Sequence, residues 1–131
     1  MRIRNVEKHF YVNYLKKAEE FLGQSNEAIN NKKWNVAVSL AIHSGICAAD
    51  ALTVFHSSIR SVAESHEEVA KLISTINLKD VKIKTRQLLN LLNVKNSAEY
   101  SEDLMNEKDA LSAKQNAERF LSWVKDNLKQ A

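Results

Sequence analysis

The stretch that decides the fold runs from Trp34 to Phe55 and reads WNVAVSLAIHSGICAADALTVF. It continues for about six helical turns without a proline, and a single aspartate is its only Asp, Glu, Lys or Arg. Small residues recur every four positions at Ala41, Gly45 and Ala49, a spacing that lets a second helix backbone approach closely. A helix that is apolar on nearly every side is a buried one. We therefore predict that this stretch is the central helix of a bundle.

The composition of the 131-residue chain favours long helices in one domain that spans residues 1–131. It has no proline and two glycines, which leaves little turn chemistry for an all-β chain. The single cysteine, Cys47, has no partner for an internal disulfide, which fits a reducing, cytoplasmic setting. A central Asp50 would cost roughly 2.5–3.5 kcal/mol in a bilayer, so we do not expect a membrane span. The net charge of +3 permits nucleic acid as a partner without requiring it.

The chain before the central helix has its own apolar periodicity. It predicts a first helix from about Asn5 to Asn30, with Val6 and Phe10 on the inward face. A short turn then makes this helix an antiparallel neighbour of the central one. After the central helix the period fades, and His56–Ser65 is predicted to be a loop.

Three further helices are predicted in the second half of the chain. Ser65 followed by Glu68 matches a capping box, which opens a short helix over about 66–76. A long helix then begins near Lys79 or Asp80, and the last one runs from about Glu107 to Lys129. The predicted fold is all-α: an up-down antiparallel four-helix bundle with one additional short helix.

No metal or cofactor site is expected. The four histidines and one cysteine show none of the paired short spacings that structural zinc sites use. The chain also contains no glycine-rich phosphate loop and no nucleophile elbow.

Ser39, His43 and Asp50 form a thin polar stripe along the central helix. His43 and Asp50 are seven residues apart and therefore point in nearly the same direction. Two interpretations follow. The stripe lines a buried polar site or a symmetric interface, or its members are ordinary partners of neighbouring helices, since buried polar groups usually satisfy one another.

Lys95 is the most informative single residue. It lies seven residues after Leu88 and so falls on the inward stripe of the third long helix. A lysine in that position either extends to solvent at the carboxyl end of the helix, where it complements the dipole, or holds an anion. Spacing alone leaves both alternatives open.

The order of elements and three sequence phrases resemble the HEPN domain (higher eukaryotes and prokaryotes nucleotide-binding). The phrases are AVSLAIHSGICAADAL at 37–52, KNSAEY at 95–100 and AERFLSWV at 117–124. The resemblance implies an up-down four-helix bundle that usually forms a homodimer. Many members are metal-independent ribonucleases of toxin–antitoxin, phage-defence or RNA-processing systems. Their motif is an arginine, often followed by Asn or Asp, with a histidine four to six residues further on.

Carried over by position, the resemblance places the motif at Lys95, Asn96 and Tyr100. Lys95 stands where the arginine is expected and offsets phosphate charge as a point cation, without the bidentate fork. Tyr100 stands where the histidine is expected, and an unperturbed pKa near 10 makes it a poor general base at neutral pH. It would instead hydrogen-bond a phosphate or stack on a base. These departures predict weak or absent cleavage.

Other basic residues supply secondary candidates. Arg60 and His66 also satisfy the motif spacing, but they precede the third long helix, so we interpret the match as coincidental. His66 would supply the missing base if that segment folds over Lys95. Lys82 and Arg86, on the outer face of the third long helix, would track a phosphate backbone or simply be solvated.

The sequence thus predicts a HEPN-like protein that handles RNA or nucleotide at Lys95, Asn96 and Tyr100. If it cleaves RNA, Lys95 would stabilise the transition state, Tyr100 would orient the 2′-hydroxyl or phosphate, and His66 would act as base. The alternatives are a non-catalytic module that binds nucleotide, RNA or a protein such as a nucleotidyltransferase-type antitoxin, and a purely structural helical dimer.

Overall fold

The computed structural model describes residues 2–62 and 65–129, most of which are helical. Within these residues four long helices form the bundle and two short ones lie between them. In chain order they are α1 (Tyr11–Asn30), α2 (Trp34–Ser57), α3 (His66–Ser74), α4 (Val81–Leu92), α5 (Lys95–Glu99) and α6 (Glu107–Asp126). The predicted all-α four-helix architecture is confirmed, with two short helices where the sequence predicted one.

The central helix α2 occupies the middle of the core, as its composition predicts. Ala41, Gly45 and Ala49 are all buried. A Cβ added at Gly45 would lie 2.7 Å from Leu91 Cδ2, so α4 packs directly on this row of small residues. By length and composition α2 would also suffice to cross a membrane, but 72% of its most apolar window is buried inside the bundle. That degree of burial is typical of the core helix of a soluble helical domain.

Two buried serine hydroxyls show that α1 and α2 are antiparallel neighbours. Ser25 Oγ donates to the carbonyl oxygen of Ala37 at 2.7 Å, and Ser44 Oγ donates to that of Ala18 at 2.7 Å. As residue numbers rise along α1 they fall along α2, so the two helices run in opposite directions. The connection between them uses Lys32 in the left-handed conformation (φ 59°), which closes α1 with a Schellman motif.

A small antiparallel sheet corrects two of the predictions. Strand β1 (Ile3–Asn5) pairs with strand β2 (Ile59–Ser61). The helix predicted from Asn5 therefore begins only at Tyr11, after a short 3-10 turn. The predicted loop at 56–65 instead contains the end of α2 and β2, while its residues 63–64 lie outside the described residues. Periodicity within each segment carries no information about this pairing, because the two strands are far apart in the chain.

The inward face of α1 also differs from the prediction at its start. Phe10 precedes the helix and is 42% exposed, whereas Val6 is buried through its place beside the sheet, where its N–H donates to the carbonyl of Ser58. Within the helix, Ser25 and Ala28 join the buried face. The apolar period holds only where the backbone is helical.

Helix ends account for the remaining differences. The Ser65 side chain makes no capping hydrogen bond, so the capping box predicted there is wrong, although α3 does begin after Ser65. A capping box forms instead at α6, where Asn106 and Asp109 exchange hydrogen bonds at 2.9 and 3.0 Å. Helix α6 starts at Glu107 as predicted and ends at Asp126, short of the expected end at Lys129.

Candidate functional site

A cleft of about 590 Å³ lies where α2, β2, α3 and α5 meet. Arg60, His66, Lys95, Asn96 and Tyr100 are all part of its lining. Residues that the sequence singled out in separate segments therefore share one recess, including the Arg60 and His66 pair whose spacing we interpreted as coincidental. His66 at the start of α3 lines the same cleft as Lys95, so it is a candidate for the base at this site.

Lys95 occupies a different helical position from the predicted one. Helix α4 ends at Leu92, so Lys95 opens the short helix α5 instead of closing a long one. Lys95 therefore lies three residues beyond the carboxyl end of α4, at the start of the next helix. Its side chain is half-buried in the cleft, and within residues 2–62 and 65–129 it forms no ion pair. An ammonium without a protein carboxylate is a suitable partner for an anion.

His66 is the first residue of α3 and is half-buried. Burial lowers its pKa below the usual 6.5, and the positive charge of Lys95 lowers it further. The imidazole is therefore neutral at pH 7 and has one nitrogen free of a proton. A neutral imidazole beside a cation is able to accept a proton from a substrate hydroxyl.

Asn96 and Tyr100 lie on the open side of the cleft. Both are exposed, and Tyr100 has 73% of its surface accessible to solvent. The backbone N–H of Tyr100 donates to the carbonyl oxygen of Asn96 at 2.9 Å, which holds the two residues together around the last turn of α5. An exposed phenol at the rim of a cationic cleft has both a hydroxyl to donate and a ring on which a base can stack.

An ion pair joins the floor of the cleft to the sheet. The Arg60 Nη2 atom lies 3.2 Å from Asp50 Oδ2, so α2 fixes the arginine of β2. Burial raises the pKa of Asp50 to about 6, an effect that the nearby Arg60 charge reduces but does not cancel. The Nε atom of Arg60 is buried and has no hydrogen-bond partner among residues 2–62 and 65–129.

The other members of the predicted polar stripe hold α5 in place. Ser39 Oγ donates to Glu99 Oε1 at 2.7 Å, and His43 Nε2 lies 3.1 Å from the same oxygen. Glu99 is the last residue of α5, so this contact orients the helix that carries Lys95. Ser39 and His43 thus act as partners of α5, and Asp50 as a partner of β2. Sequence analysis missed Glu99, because nothing in its spacing links it to α2.

Several other candidates lie outside this constellation. Lys82 and Arg86 are exposed on α4 and are not part of the cleft lining, so their role in nucleic-acid binding stays a prediction. Cys47 is half-buried, and burial together with the Asp50 charge raises its pKa to about 11. Its thiol is protonated at neutral pH and is a poor nucleophile.

The arrangement has the parts needed to hold a phosphate and move a proton. Lys95 and Arg60 supply positive charge, Tyr100 supplies a hydroxyl and a ring, and His66 supplies a neutral imidazole. None of these functions requires a metal ion.

Two solved structures have a fold similar to that of this chain. The chain is similar to TT1696 from Thermus thermophilus, with 15% identity, a TM-score of 0.67 and coverage of 91% of this chain and 98% of that one. It is similar to ST0689, described as an archaeal HEPN homologue, with 19% identity, a TM-score of 0.69 and the same coverage. At these identities the likeness shows the fold alone.

Sequence comparison supplies the family. A search of curated proteins finds no significant match. The family model of the HEPN domain, however, matches residues 11–127, which is nearly the whole chain. This protein therefore belongs to the HEPN domain family.

Proposed function

We propose that the protein handles RNA or nucleotide in the cleft lined by Lys95, Asn96, Tyr100 and His66, with at most weak metal-independent ribonuclease activity. The observation that supports it is the convergence of these side chains with Arg60 in one recess of about 590 Å³. The Lys95 ammonium, which forms no ion pair with the described residues, attracts a phosphate, and the neutral His66 imidazole nearby is able to accept a proton.

The chemistry that fits these groups is transesterification by the 2′-hydroxyl of RNA. His66 takes the proton of that hydroxyl as the 2′-oxygen forms a bond to phosphorus. The bond from phosphorus to the 5′-oxygen breaks, and the leaving oxygen takes a proton from solvent at the open side of the cleft. Lys95 offsets the extra negative charge on the phosphate oxygens, and Tyr100 orients the phosphate or the hydroxyl. The products are a 2′,3′-cyclic phosphate and a 5′-hydroxyl end.

The experiment is incubation of the purified protein with structured RNA, with and without a chelator. Cleavage that resists the chelator and falls at least tenfold in Lys95→Ala, Tyr100→Ala and His66→Gln variants is the expected result. Lys71→Ala, on the exposed side of α3, is the control that removes the same charge elsewhere.

A gain-of-function variant makes the test sharper. Lys95→Arg with Tyr100→His restores the family motif at the two departed positions, and we expect faster cleavage because Arg offers a bidentate fork and His a base near neutral pH. The proposed cleavage is wrong if the single variants lose nothing and this double variant gains nothing.

A non-catalytic module that binds nucleotide, RNA or a protein is the second candidate. The exposed Tyr100 ring favours it, because a tyrosine in place of histidine retains stacking while giving up base catalysis. RNA binding that depends on Lys95 and Tyr100, with no cleavage even in the double variant, would support this module.

The assembly and setting are part of the same proposal. We expect a homodimer in which two clefts approach each other, and a nucleotidyltransferase-type antitoxin as the protein partner of a toxin–antitoxin or defence system. A cytoplasmic location accords with the reduced Cys47 thiol.

Light scattering of the purified protein tests the dimer: a monomer at all concentrations would leave each cleft to act alone. A purely structural helical dimer would instead show neither RNA binding nor cleavage.

A further inference from the structure

Two arginines face each other across the small sheet. Arg4 of β1 is the direct partner of Arg60 of β2 in the antiparallel ladder, so both side chains lie on the same face. Like charges in directly opposite positions destabilise a sheet. Asp50 of α2 pairs with Arg60, whereas Arg4 has no carboxylate partner within the described residues.

A third cation and an aromatic ring lie next to the arginine pair. Lys17 Nζ of α1 is 5.6 Å from the centre of the Tyr14 ring, and Arg60 Cζ is 5.5 Å from the same ring. The charge of Lys17 also reaches Asp50, whose pKa it lowers against the effect of burial. The Tyr14 ring therefore lies near two cations that belong to separate elements, α1 and β2.

A recess of about 360 Å³ opens at this position. Arg4, Tyr14 and Lys17 are part of its lining, while Arg60 lines the neighbouring cleft. Glu7 is the acidic residue in the lining, and its Oε2 lies 3.4 Å from His9 Nδ1. Neither Arg4 nor Lys17 forms an ion pair within the described part of the chain.

We propose that Arg4, Lys17 and Arg60 form a second phosphate-binding position, next to the cleft of Lys95, that holds a neighbouring phosphate of single-stranded RNA. Arg60 lines the cleft and lies beside the recess, since its Cζ is 5.5 Å from the ring of Tyr14, which lines the recess. This position rests on the proposed function for its ligand, but not on Lys95 or on cleavage. The shared chemistry is a phosphate ester, whose source is an RNA backbone or a free nucleotide.

The test measures binding of a fluorescently labelled single-stranded RNA 10-mer at several salt concentrations. Arg4→Gln and Lys17→Gln are each expected to weaken binding about tenfold, because each removes a charge-assisted hydrogen bond to phosphate. The slope of log affinity against log salt should fall in magnitude by about 0.7 per lost contact. Arg119→Gln, an exposed substitution on α6 with the same charge change, is the control and should shift affinity less than about twofold.

Folding does not confound these variants. Arg4 and Lys17 are exposed, and Arg4→Gln removes a like-charge neighbour of Arg60, so its melting temperature should not fall. Circular dichroism and thermal unfolding check this directly. Parallel titrations with guanosine monophosphate distinguish the two sources: loss for RNA alone assigns a backbone phosphate, and equal loss for the mononucleotide assigns a free one.

Comparison with Lys95→Gln separates this position from the proposed function. If Lys95→Gln weakens binding while Arg4→Gln and Lys17→Gln behave like the control, the second position is overturned and the proposed function stands. If the reverse holds, the second position stands without the first. A wild-type protein that binds neither RNA nor mononucleotide overturns both.

Discussion

Asp50 carries a charge in the middle of the most apolar helix of the chain. Its partner Arg60 lies 3.2 Å away, yet burial still raises the pKa of the carboxyl from 3.8 to about 6. A carboxyl with a raised folded-state pKa stabilises the fold in its protonated form. Its contribution is therefore fully present below about pH 4 and is lost as the pH rises through about 6.

This gives a prediction for the pH dependence of stability. We expect the free energy of unfolding of the wild type, relative to Asp50→Asn, to fall by roughly 3 kcal/mol between about pH 3.5 and 7.5, since asparagine does not titrate. Urea titrations of both proteins across that range measure it. Two profiles that run parallel would contradict the raised pKa.

The second residue-scale prediction concerns His66 and Lys95. Because the ammonium of Lys95 lowers the pKa of His66, Lys95→Ala should raise that pKa, while burial keeps it below the usual 6.5. NMR titration of the imidazole protons measures the change. Lys82→Ala, an exposed charge outside the cleft, is the matched control. An unchanged His66 pKa in Lys95→Ala would mean that the two side chains do not interact.

At the residue scale, the sequence was better at indicating which side chains belong to the site than at indicating how they are placed relative to one another. The family phrase at 95–100 pointed to Lys95, Asn96 and Tyr100, and all three line the cleft. Arg60 and His66 were separated from them because a loop has no predictable direction. Their placement depends on the pairing of β2 with β1 and on the ion pair of Arg60 with α2, which are contacts between distant parts of the chain.

Among the elements, α2 and α4 show how a short side chain controls packing. Gly45 faces Leu91 and Leu88, which are buried and leave little room for a methyl group. Gly23 in α1 is exposed, and a Cβ there would meet nothing within 4 Å. The two glycines are therefore in the same kind of helix but in opposite surroundings.

The prediction is a contrast between the two alanine variants. Gly23→Ala should raise the free energy of unfolding by about 1 kcal/mol, because alanine is the better helix former. Gly45→Ala gains the same propensity but overpacks the contact with α4, at a cost of about 1–3 kcal/mol. Denaturant unfolding should therefore find Gly45→Ala less stable than Gly23→Ala by the overpacking cost, about 1–3 kcal/mol. Equal stabilisation in both variants would show that Leu88 and Leu91 of α4 shift to accommodate the added methyl group at little cost.

Element boundaries were predictable where the apolar period was strong. Helix α2 begins at Trp34, and α6 begins at Glu107 as expected, because each has a sharp change of pattern at its start. The carboxyl end of α4 was not predictable. Val94 and Lys95 continue the helical spacing of the inward face, so the sequence predicts that the helix goes on. The backbone instead turns after Leu92 and begins α5 at Lys95. The hydrogen bond from Ser39 of α2 to Glu99 then holds α5 in place.

For the whole molecule, the bundle followed from the amphipathic pattern and the sheet did not. Four long helices are specified locally by their own periodicity, so their number and order could be predicted from sequence. Three-residue strands have no such signal. Ile3–Asn5 and Ile59–Ser61 adopt the extended state because each provides the hydrogen bonds of the other.

The sheet also has a kinetic consequence, because it joins the start of the chain to the end of α2. Closing such a long loop costs entropy that only the completed structure offsets, so the strands should pair after the transition state for folding. Val6→Ala, beside β1, should then speed unfolding and leave refolding unchanged in stopped-flow experiments. Val38→Ala, in the α1–α2 hairpin, should slow refolding instead. The protein would thus acquire its helical nucleus first and complete the arginine-bearing edge of its cleft last.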